Sequence, residues 1–235
     1  GYEPERYYTG RAPLEASSMG VELTADETAF RCNLVHVDRP DDGRLVMVDY
    51  SSGHISTEES RQLIDALQAE CGNDLLHLYP GVSYRHLLVY GGALPQGFVT
   101  VPPHDHSDQD VQGFFQAYQQ VAAFSPLLER AAAVLRDHPV NRERERRGKR
   151  TANAIWLWGE GKRPAMETLD QRFGIRGGLI SAVDLLKGLG VLGGLRVIEV
   201  PGATGYLDTN YQGKTEAALA VLSEEDFVLV HVEAP

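Results

Sequence analysis

The amino-acid sequence predicts a protein of the α/β class. Strand-like and helix-like segments alternate between residues 178 and 232, and residues 28–50 have the pattern of two strands joined by a tight turn. Such alternation favours a parallel or mixed sheet with helices on its faces. The 235 residues, of which 43% are hydrophobic and 23% charged, suffice for the buried core of one large domain or roughly one and a half.

The N-terminal part is predicted to hold strands joined by turns. Segments with β-branched, aromatic and alternating apolar residues are typical of strands. They are Thr28–Asp38, Leu45–Tyr50 and Tyr84–Tyr90. A hairpin-like turn at Arg39–Gly43 joins the first two. The segment up to Leu23 is expected to be rich in turns, because it contains Gly10, Pro13 and Gly20.

A helix is predicted between the second and the third of these strands. Ser56 or Thr57 would cap its N-terminus, and Glu58 and Glu59 would lie in its first turn. The helix is expected to end at Gly72–Asn73, since glycine and asparagine readily adopt the backbone conformation that closes a helix. Its apolar residues recur on one face, which predicts packing against a core.

The second half is predicted to begin with a mostly helical segment, Val111–Asp137, that is broken near Ser125–Pro126 because proline disrupts a helix interior. Strands and helices then follow one another. In order they are strand Asn153–Leu157, helix Thr168–Phe173 ended by Gly174, strand Gly178–Val183, helix Asp184–Leu192, strand Leu195–Val200, helix Lys214–Leu222 and strand Phe227–Val232. This series predicts a parallel or mixed sheet.

The chain is acidic, with a formal net charge of −11 and a pI of about 5.2. A general nucleic-acid coat is not expected, since neutralising phosphates needs a basic surface. A small anionic substrate would need a local basic pocket. Cys32 and Cys71 are too few for a disulfide framework and are expected to be buried thiols in a reducing cytoplasm. No apolar run reaches membrane-spanning length, so no membrane partner is expected.

Two glycine-containing patterns imitate nucleotide-binding motifs. Gly188, Gly190 and Gly193 match G-x-G-x-x-G, but they continue a helical pattern instead of joining a strand to a helix. We interpret them as a glycine-rich helix end that packs closely on the sheet. The segment Gly213–Thr215 imitates the end of a phosphate-binding loop, but Asp208 stands where that loop requires glycine. Neither pattern predicts nucleotide binding.

Charged and aromatic segments leave alternatives open. The segment 141–150 holds six basic and two acidic residues, so it is either a solvated helix face with Glu–Arg pairs or an anion-binding segment. The sequence His-Asp-His at 104–106 fits a polar turn, two metal ligands, or a histidine that aspartate orients for proton transfer. The loop 204–211 either binds a ligand or caps the next helix. Trp156 and Trp158 share a face and are expected in the core or in a pocket wall.

Eight ordered segments resemble one enzyme family over essentially the whole chain. They are YYTGRAPLEASSMGVEL, FRCNLVHVD, YRHLLVY, PPHD, HPVNRER, ANAIWLWGEGKRP, GLISAVDLLKGLGVLGGLRVIEVPGATGYLDTNYQGK and DFVLVHVEAP. Their order and their placements of Trp, Gly and Tyr resemble the archaeal-type, 2,3-bisphosphoglycerate-independent phosphoglycerate mutases of the alkaline phosphatase superfamily.

The resemblance implies a phosphatase-like domain that is interrupted by an inserted domain. Residues 1–26 would be a flank of the phosphatase-like domain, residues 27–165 the inserted, substrate-handling α/β domain with a mixed sheet, and residues 166–235 a partial return into the first domain. The nucleophilic serine and nearly all metal ligands of the family would lie outside this chain. We therefore expect an internal fragment that is inactive on its own and supplies no assigned metal ligand.

The activity that the resemblance implies is that of a glycolytic isomerase. The full-length enzyme would interconvert 3-phosphoglycerate and 2-phosphoglycerate through a phosphoserine, with divalent Mn or Mg, or else Zn or Co, as cofactor. One alternative is a phosphotransferase acting on another small alcohol, such as a homoserine-kinase-like relative. Another is a non-catalytic module that binds phosphorylated ligands. Nucleic acid and membrane are not expected as partners, and the oligomeric state is not predicted.

Residue roles follow from the same resemblance. The catalytic residues would be His104 and Asp105, for proton transfer to and from the substrate hydroxyls, and Lys187, near the transferred phosphate. The residues that would hold the carboxylate or phosphate of the substrate are Arg31, Arg85, Arg142, Arg144 and Asn153.

Overall fold

The computed structural model describes residues 8–233 and divides the chain into two compact units. We call Thr24–Lys162 the central unit, and the described parts of Gly1–Leu23 and Arg163–Pro235 together the terminal unit. The strand pairs of the central sheet are antiparallel and those of the terminal sheet are parallel. The predicted α/β class is confirmed, with the two kinds of pairing in separate sheets. No helix of the described part is long and apolar enough to cross a membrane.

Helices and strands are numbered here separately along the chain. In order they are α1 (Arg11–Ser18), β1 (Thr28–Asp38), β2 (Val46–Asp49), α2 (Thr57–Cys71), β3 (Leu76–Val82), β4 (Arg85–Tyr90), a 3₁₀ helix (Pro103–His106), α3 (Gln112–Tyr118), α4 (Phe124–Asp137), α5 (Pro139–Arg146), β5 (Ala154–Gly161), α6 (Leu169–Phe173), β6 (Gly177–Ile180), α7 (Asp184–Leu192), β7 (Arg196–Val197), α8 (Tyr211–Leu222) and β8 (Phe227–Val230).

Strand β1 organises the central sheet. The strand order is β2-β1-β4-β3, and β5 pairs with β1 along residues that also pair with β4, so β4 and β5 lie on opposite edges of β1. Side chains alternate between the two faces of a strand. Phe30, Cys32 and Leu34 therefore point to one face, and Arg31 and Asn33 to the other.

The main core fills the first of these faces. Phe30, Cys32 and Leu34 pack with apolar residues of helices α2 and α4, such as Leu63 and Phe124. Each large apolar side chain buried in this way contributes about 1.5–3 kcal/mol. Burial also raises the pKa of the Cys32 thiol to about 12, so this thiol stays protonated. The predicted buried thiol is confirmed for Cys32, whereas Cys71 is only half-buried.

The start of helix α2 forms as the local sequence predicts. The Ser56 hydroxyl accepts a hydrogen bond from the Glu59 amide, and the Glu59 carboxylate accepts one from the Ser56 amide, which completes a capping box. The predicted break in the helical segment is present, but it lies a few residues before Ser125–Pro126. The helical segment is interrupted between Tyr118 and Phe124, and Pro126 lies in the first turn of α4, where a missing amide donor costs little.

Two elements differ from the sequence prediction for reasons of context. Strand β3 was not predicted. It contains Pro80 and Gly81, which disfavour strands in general but are tolerated here because β3 is an edge strand. The turns expected before Leu23 are wrong for residues 11–18, which form α1. Pro13 lies in its first turn, where proline fits.

The terminal unit contains a small parallel sheet in which β6 lies between β7 and β8. Helix α7 carries the glycine pattern. A Cβ atom on Gly190 would lie 2.5 Å from a methyl carbon of Leu179 on β6, and one on Gly188 would lie 1.7 Å from the Leu14 carbonyl oxygen of α1. The glycines thus allow close packing, as interpreted, but Gly188 faces a helix and not the sheet.

Candidate functional site

The face of β1 opposite the main core carries basic, amide and aromatic side chains. Arg31 stands opposite Trp158 of β5, and Asn33 stands opposite Arg85 of β4. Directly opposed residues in antiparallel strands place their side chains on the same face. The sheet therefore brings two predicted substrate-binding arginines, from β1 and β4, to one surface.

Trp158 connects several of these groups. Its ring centre lies 4.7 Å from the guanidinium carbon of Arg31, which is cation–π geometry. Its Nε1–H donates a hydrogen bond to Asn33 Oδ1 over 3.0 Å. Arg31 is only 2% exposed, so its charge lies beneath the surface in a medium where it is poorly screened. Of the predicted alternatives for Trp156 and Trp158, the core is confirmed, since both belong to a second buried cluster of the central unit.

The 3₁₀ helix brings His104 to the same tryptophan. The imidazole centre lies 5.6 Å from the Trp158 ring and 6.1 Å from the Tyr50 ring. Asp105 Oδ1 lies 3.7 Å from His104 Nε2, which is within ion-pair range but too long for a hydrogen bond. The side chains of His104 and Asp105 are 47% and 60% exposed. The imidazole is thus held on one side by aromatic rings and is accessible to a ligand.

Tyr84 extends this surface toward Arg85. Its ring centre lies 5.7 Å from that of Tyr50 and 5.9 Å from the guanidinium carbon of Arg85. Arg85 Nε is buried and has no hydrogen-bond partner among the described residues. The half-buried guanidinium thus retains donor capacity. Tyr84 itself also packs against the main core. We call the group of side chains linked by these contacts the Trp158 cluster, which consists of Arg31, Asn33, Tyr50, Tyr84, Arg85, His104 and Trp158.

The charges of the cluster affect a neighbouring histidine. His86 is buried, and its Nδ1 accepts a hydrogen bond from the Gly81 amide over 3.0 Å. Burial, together with the positive charges of Arg31, Arg61 and Arg85, lowers the pKa of His86 to about 3. His86 is therefore neutral near pH 7. The arginines thus create a local positive potential within an acidic chain, as an anionic ligand requires.

Arg144 does not lie free for a substrate. Its guanidinium donates hydrogen bonds to the Glu59 carboxylate and the Ser52 carbonyl, each over 2.6 Å, and its Nε donates to the Arg150 carbonyl over 2.8 Å. Its side chain is 3% exposed. Arg144 thus ties helix α5 to α2 and to the loop after β2, instead of joining the Trp158 cluster.

Two other predicted substrate-binding residues also lie outside the Trp158 cluster. The side-chain amide of Asn153 makes two hydrogen bonds with the backbone of Val37. Asn153 Oδ1 accepts from the Val37 amide, and Asn153 Nδ2 donates to the Val37 carbonyl. Arg142 is exposed and pairs with Asp137 over 3.2 Å. The solvated helix face predicted for residues 141–150 is present, since Glu143 pairs with exposed arginines of α5 and its end.

Lys187 belongs to the terminal unit. It lies on α7, and its Nζ donates a hydrogen bond to Glu199 Oε1 over 2.7 Å. The loop before α8 has the structural role that we left open as an alternative. Asn210 caps α8, and the Asn210 Oδ1 accepts a hydrogen bond from the Gly213 amide.

A metal site is not formed by the described residues. Between Tyr8 and Glu233, no group of three or more His, Cys, Asp or Glu side chains is arranged to hold a metal ion. His106 instead packs against the ring of Phe114, with 4.5 Å between the ring centres, and its Nδ1 lies 3.1 Å from Gln109 Oε1. The described residues therefore do not fit a complete metal-binding set.

A cleft of about 790 Å³ opens elsewhere in the central unit. Charged side chains from the end of β1, the turn after it and α4 line it together with Asn153; among them are Asp38, Arg39, Glu129 and Arg136. None of the residues of the Trp158 cluster contributes to its lining. The cleft combines charges of both signs, so it offers a phosphorylated ligand less than the cluster does.

Residues of the Trp158 cluster that we did not predict are Asn33, Tyr50 and Tyr84. Asn33 could have been predicted, because side chains two residues apart in a strand share a face and Arg31 lies on the same strand. Tyr50 follows strand β2 and Tyr84 precedes β4, so both lie at strand ends. The contact between them, and that of Tyr50 with His104, depends on the pairing of distant strands.

Comparison with known proteins identifies the relatives of this chain. The model of the family described as 2,3-bisphosphoglycerate-independent phosphoglycerate mutase matches residues 1–141. The chain is 50% identical over 235 residues to the enzyme of that name from Methanosarcina acetivorans, and 51% identical to a probable one from Geobacter sulfurreducens. The whole chain is covered in both cases, and it spans 58% of the length of each relative.

Solved structures agree with this assignment. A cofactor-independent phosphoglycerate mutase from Thermoplasma acidophilum is similar with a TM-score of 0.62 and 30% identity, over 100% of this chain and 62% of that one. A protein from Pyrococcus horikoshii is similar with a TM-score of 0.75 and 25% identity, over 99% of this chain and 54% of that one. With the family match over more than half of its residues, the chain belongs to the 2,3-bisphosphoglycerate-independent phosphoglycerate mutase family.

Proposed function

We propose that this chain is the substrate-handling part of an enzyme that interconverts 3-phosphoglycerate and 2-phosphoglycerate. The observation that carries the proposal is the position of His104 on the same aromatic surface as Arg31 and Arg85. Such a surface combines a proton carrier with cations that attract a carboxylate and a phosphate. The curated relatives bear the name of this activity.

The reaction requires proton transfers at both hydroxyls of glycerate. In the first half, the bond between phosphorus and the substrate 3-oxygen breaks as a bond to a serine oxygen forms, and the 3-oxygen gains a proton. In the second half, the 2-hydroxyl loses a proton as its oxygen attacks phosphorus, the bond between phosphorus and the serine oxygen breaks, and that serine oxygen regains the proton that it lost in the first half. We assign the transfers at the substrate oxygens to His104, with Asp105 stabilising the imidazolium form.

Arg31 and Arg85 would stabilise the substrate anions in these steps. Arg85, with its unpartnered Nε, is the arginine that we expect in direct contact with an oxygen of the substrate. Arg31 would act through its charge from beneath the surface. Lys187 and Arg142 stay proposals from the family resemblance, and Arg144 and Asn153 are better explained by their internal hydrogen bonds.

The remaining parts of the resemblance are also proposals. The family implies a divalent metal, with Mn or Mg as the expected ions, whose ligands would come from residues other than the described ones. The serine would likewise come from outside them. The division into residues 1–26, 27–165 and 166–235 is supported by the two compact units, which separate at Leu23–Thr24 and at Lys162–Arg163. Residues 1–7 and 234–235 of these ranges lie outside the described residues.

The test uses the full-length gene product that contains this chain. Phosphorus NMR would follow the conversion of 3-phosphoglycerate with Mn or Mg present. We expect conversion by the wild type and a fall in kcat of about 10²- to 10⁴-fold for His104→Ala. His77→Ala is the matched control, since His77 lies on β3 outside the cluster. Absence of conversion by the wild type, or unchanged turnover of the His104 variant, would contradict the proposal.

A further inference from the structure

We infer that His54 is a further substrate-contacting residue of the same site, where its imidazole binds an anionic oxygen of a phosphate or carboxylate. This inference rests on the proposed function for the identity of the ligand. His54 lies in the loop between β2 and α2, outside the group of residues to which the family resemblance gave a role.

The position of His54 carries the first part of the inference. Its ring centre lies 6.2 Å from that of Tyr84. The guanidinium carbon of Arg85 lies 5.9 Å from the same tyrosine ring. Tyr84 in turn contacts Tyr50, which contacts His104. His54 thus extends the series of ring contacts from His104 by one residue, through the tyrosine that Arg85 also contacts.

The availability of the imidazole carries the second part. His54 is exposed, and its ring nitrogens make no hydrogen bond with the protein within the described range 8–233. The backbone amide of His54, by contrast, is engaged, since it donates to Ser51 Oγ over 3.2 Å. The loop therefore holds the residue in place and leaves its side chain ready for a ligand.

The backbone of the loop carries the third part. Ser52, Gly53 and His54 are successive residues in the left-handed region, with φ values of 50°, 68° and 48°. Left-handed backbone at a residue other than glycine is strained, and such strain concentrates at ligand-binding sites. A glycine at position 54 would adopt this conformation at lower cost. Binding of an anionic ligand by the imidazole would explain why position 54 is a histidine.

Several hydrogen bonds hold this loop in its strained conformation. The Asp49 carboxylate accepts hydrogen bonds from the Ser51 amide over 2.7 Å and the Gly53 amide over 2.8 Å. The Ser52 hydroxyl donates to the Leu34 carbonyl over 3.0 Å, and the Ser52 carbonyl accepts from Arg144. These bonds fix the loop to β1 and α5. They give Arg144 a positioning role at a distance from the substrate.

Phosphate and carboxylate are the ligand groups that this arrangement favours. An imidazole N–H donates to an anionic oxygen in a charge-assisted hydrogen bond, and the nearby Arg85 offers guanidinium donors to the same kind of group. Both side chains contact the ring of Tyr84, so we expect them to bind oxygens of the same substrate. No proton transfer by His54 is required for this role.

The test has a binding readout and a kinetic readout on the full-length gene product. Histidine Cε1–H resonances would be recorded during titration with inorganic phosphate and with 3-phosphoglycerate, and the His54 signal would be assigned by its loss in His54→Asn. Asparagine tolerates left-handed backbone, so this variant keeps the loop. We expect a saturable shift of the His54 signal, and a KM for 3-phosphoglycerate about 10-fold higher in His54→Asn with a smaller change in kcat. His77→Asn is the matched control.

The outcomes separate this inference from the proposed function. A His54 signal that does not move at saturating ligand, or a KM that His54→Asn leaves unchanged, overturns the inference while wild-type mutase activity stands. A wild type without mutase activity whose His54 signal still shifts with inorganic phosphate contradicts the proposed function and supports the anion site.

Discussion

The guanidinium carbon of Arg31 lies 4.7 Å from the centre of the Trp158 indole ring. The two residues stand directly opposite each other on β1 and β5, so the sheet register creates the contact. Asn33, two residues along β1, accepts the indole hydrogen bond and fixes the orientation of the ring. The arrangement holds a buried positive charge under the surface on which His104 lies.

Trp158→Phe is expected to lower the free energy of unfolding by about 1–3 kcal/mol. Phenylalanine keeps an aromatic ring near Arg31, but it leaves Asn33 Oδ1 without its donor. Urea unfolding of the variant, of Asn33→Leu and of the double variant would measure the coupling between the two side chains, which we expect to be about 1 kcal/mol. Fully additive effects would show that the hydrogen bond contributes nothing.

Arg144→Met should be much more destabilising than Arg146→Met, although both residues lie on α5. The first change removes a buried guanidinium and leaves the Ser52 carbonyl without its donor, while the partly exposed Glu59 carboxylate keeps its bonds from Ser56. The loss should cost about 1–3 kcal/mol. The second removes an exposed partner of Glu143, and exposed ion pairs of this kind contribute little to stability. Chemical denaturation of both variants gives the comparison, and equal midpoints would refute the anchoring role of Arg144.

His86 is expected to make stability depend on pH. Burial first, and then the nearby arginine charges, lower its folded-state pKa to about 3, against about 6.5 in an unfolded chain. Between these values the unfolded state binds the extra proton, so stability is higher above pH 6.5 and is lost as the pH falls toward 3. For this group alone the loss from pH 7 to pH 5 is about 2 kcal/mol.

Urea unfolding at pH 7 and pH 5 would measure this contribution of His86. The glutamine of His86→Gln can still accept the hydrogen bond from the Gly81 amide. Between pH 7 and pH 5, the free energy of unfolding of this variant should fall by about 2 kcal/mol less than that of the wild type. His77→Gln, on β3, serves as the control and should keep the wild-type dependence. Parallel pH dependence of the wild type and His86→Gln would mean that His86 does not titrate as we expect.

Gly188→Ala is expected to destabilise the protein by about 1–3 kcal/mol or more, despite the higher helix propensity of alanine. The added Cβ would meet the Leu14 carbonyl oxygen at 1.7 Å, so α1 and α7 would have to separate. Gly113→Ala is the matched control, because a Cβ at this position of α3 meets nothing within 4 Å, and it should be neutral or stabilising. Thermal unfolding of both variants would decide, and a stabilised Gly188→Ala protein would contradict the close packing.

Much of the fold follows from local sequence. Strand Thr28–Asp38 and helix Asp184–Leu192 have the predicted bounds, and Ser56 forms the predicted cap. Helix caps and the period of two in a strand depend on residues within a few positions, which a sequence pattern displays directly. Strand β3 was missed because its tolerance of Pro80 depends on its edge position, which is a property of the whole sheet.

The sequence by itself determined the α/β class, most of the elements and the family, because ordered segments with rare residues leave little room for coincidence. Only the tertiary structure decided which predicted residues share a surface. Arg31 joins His104 through Trp158, whereas Arg144 is engaged by Glu59 and Ser52, which lie 85 and 92 positions earlier in the chain. The role of an arginine depends on the acceptors that folding brings to it, and no local pattern records partners at such separations.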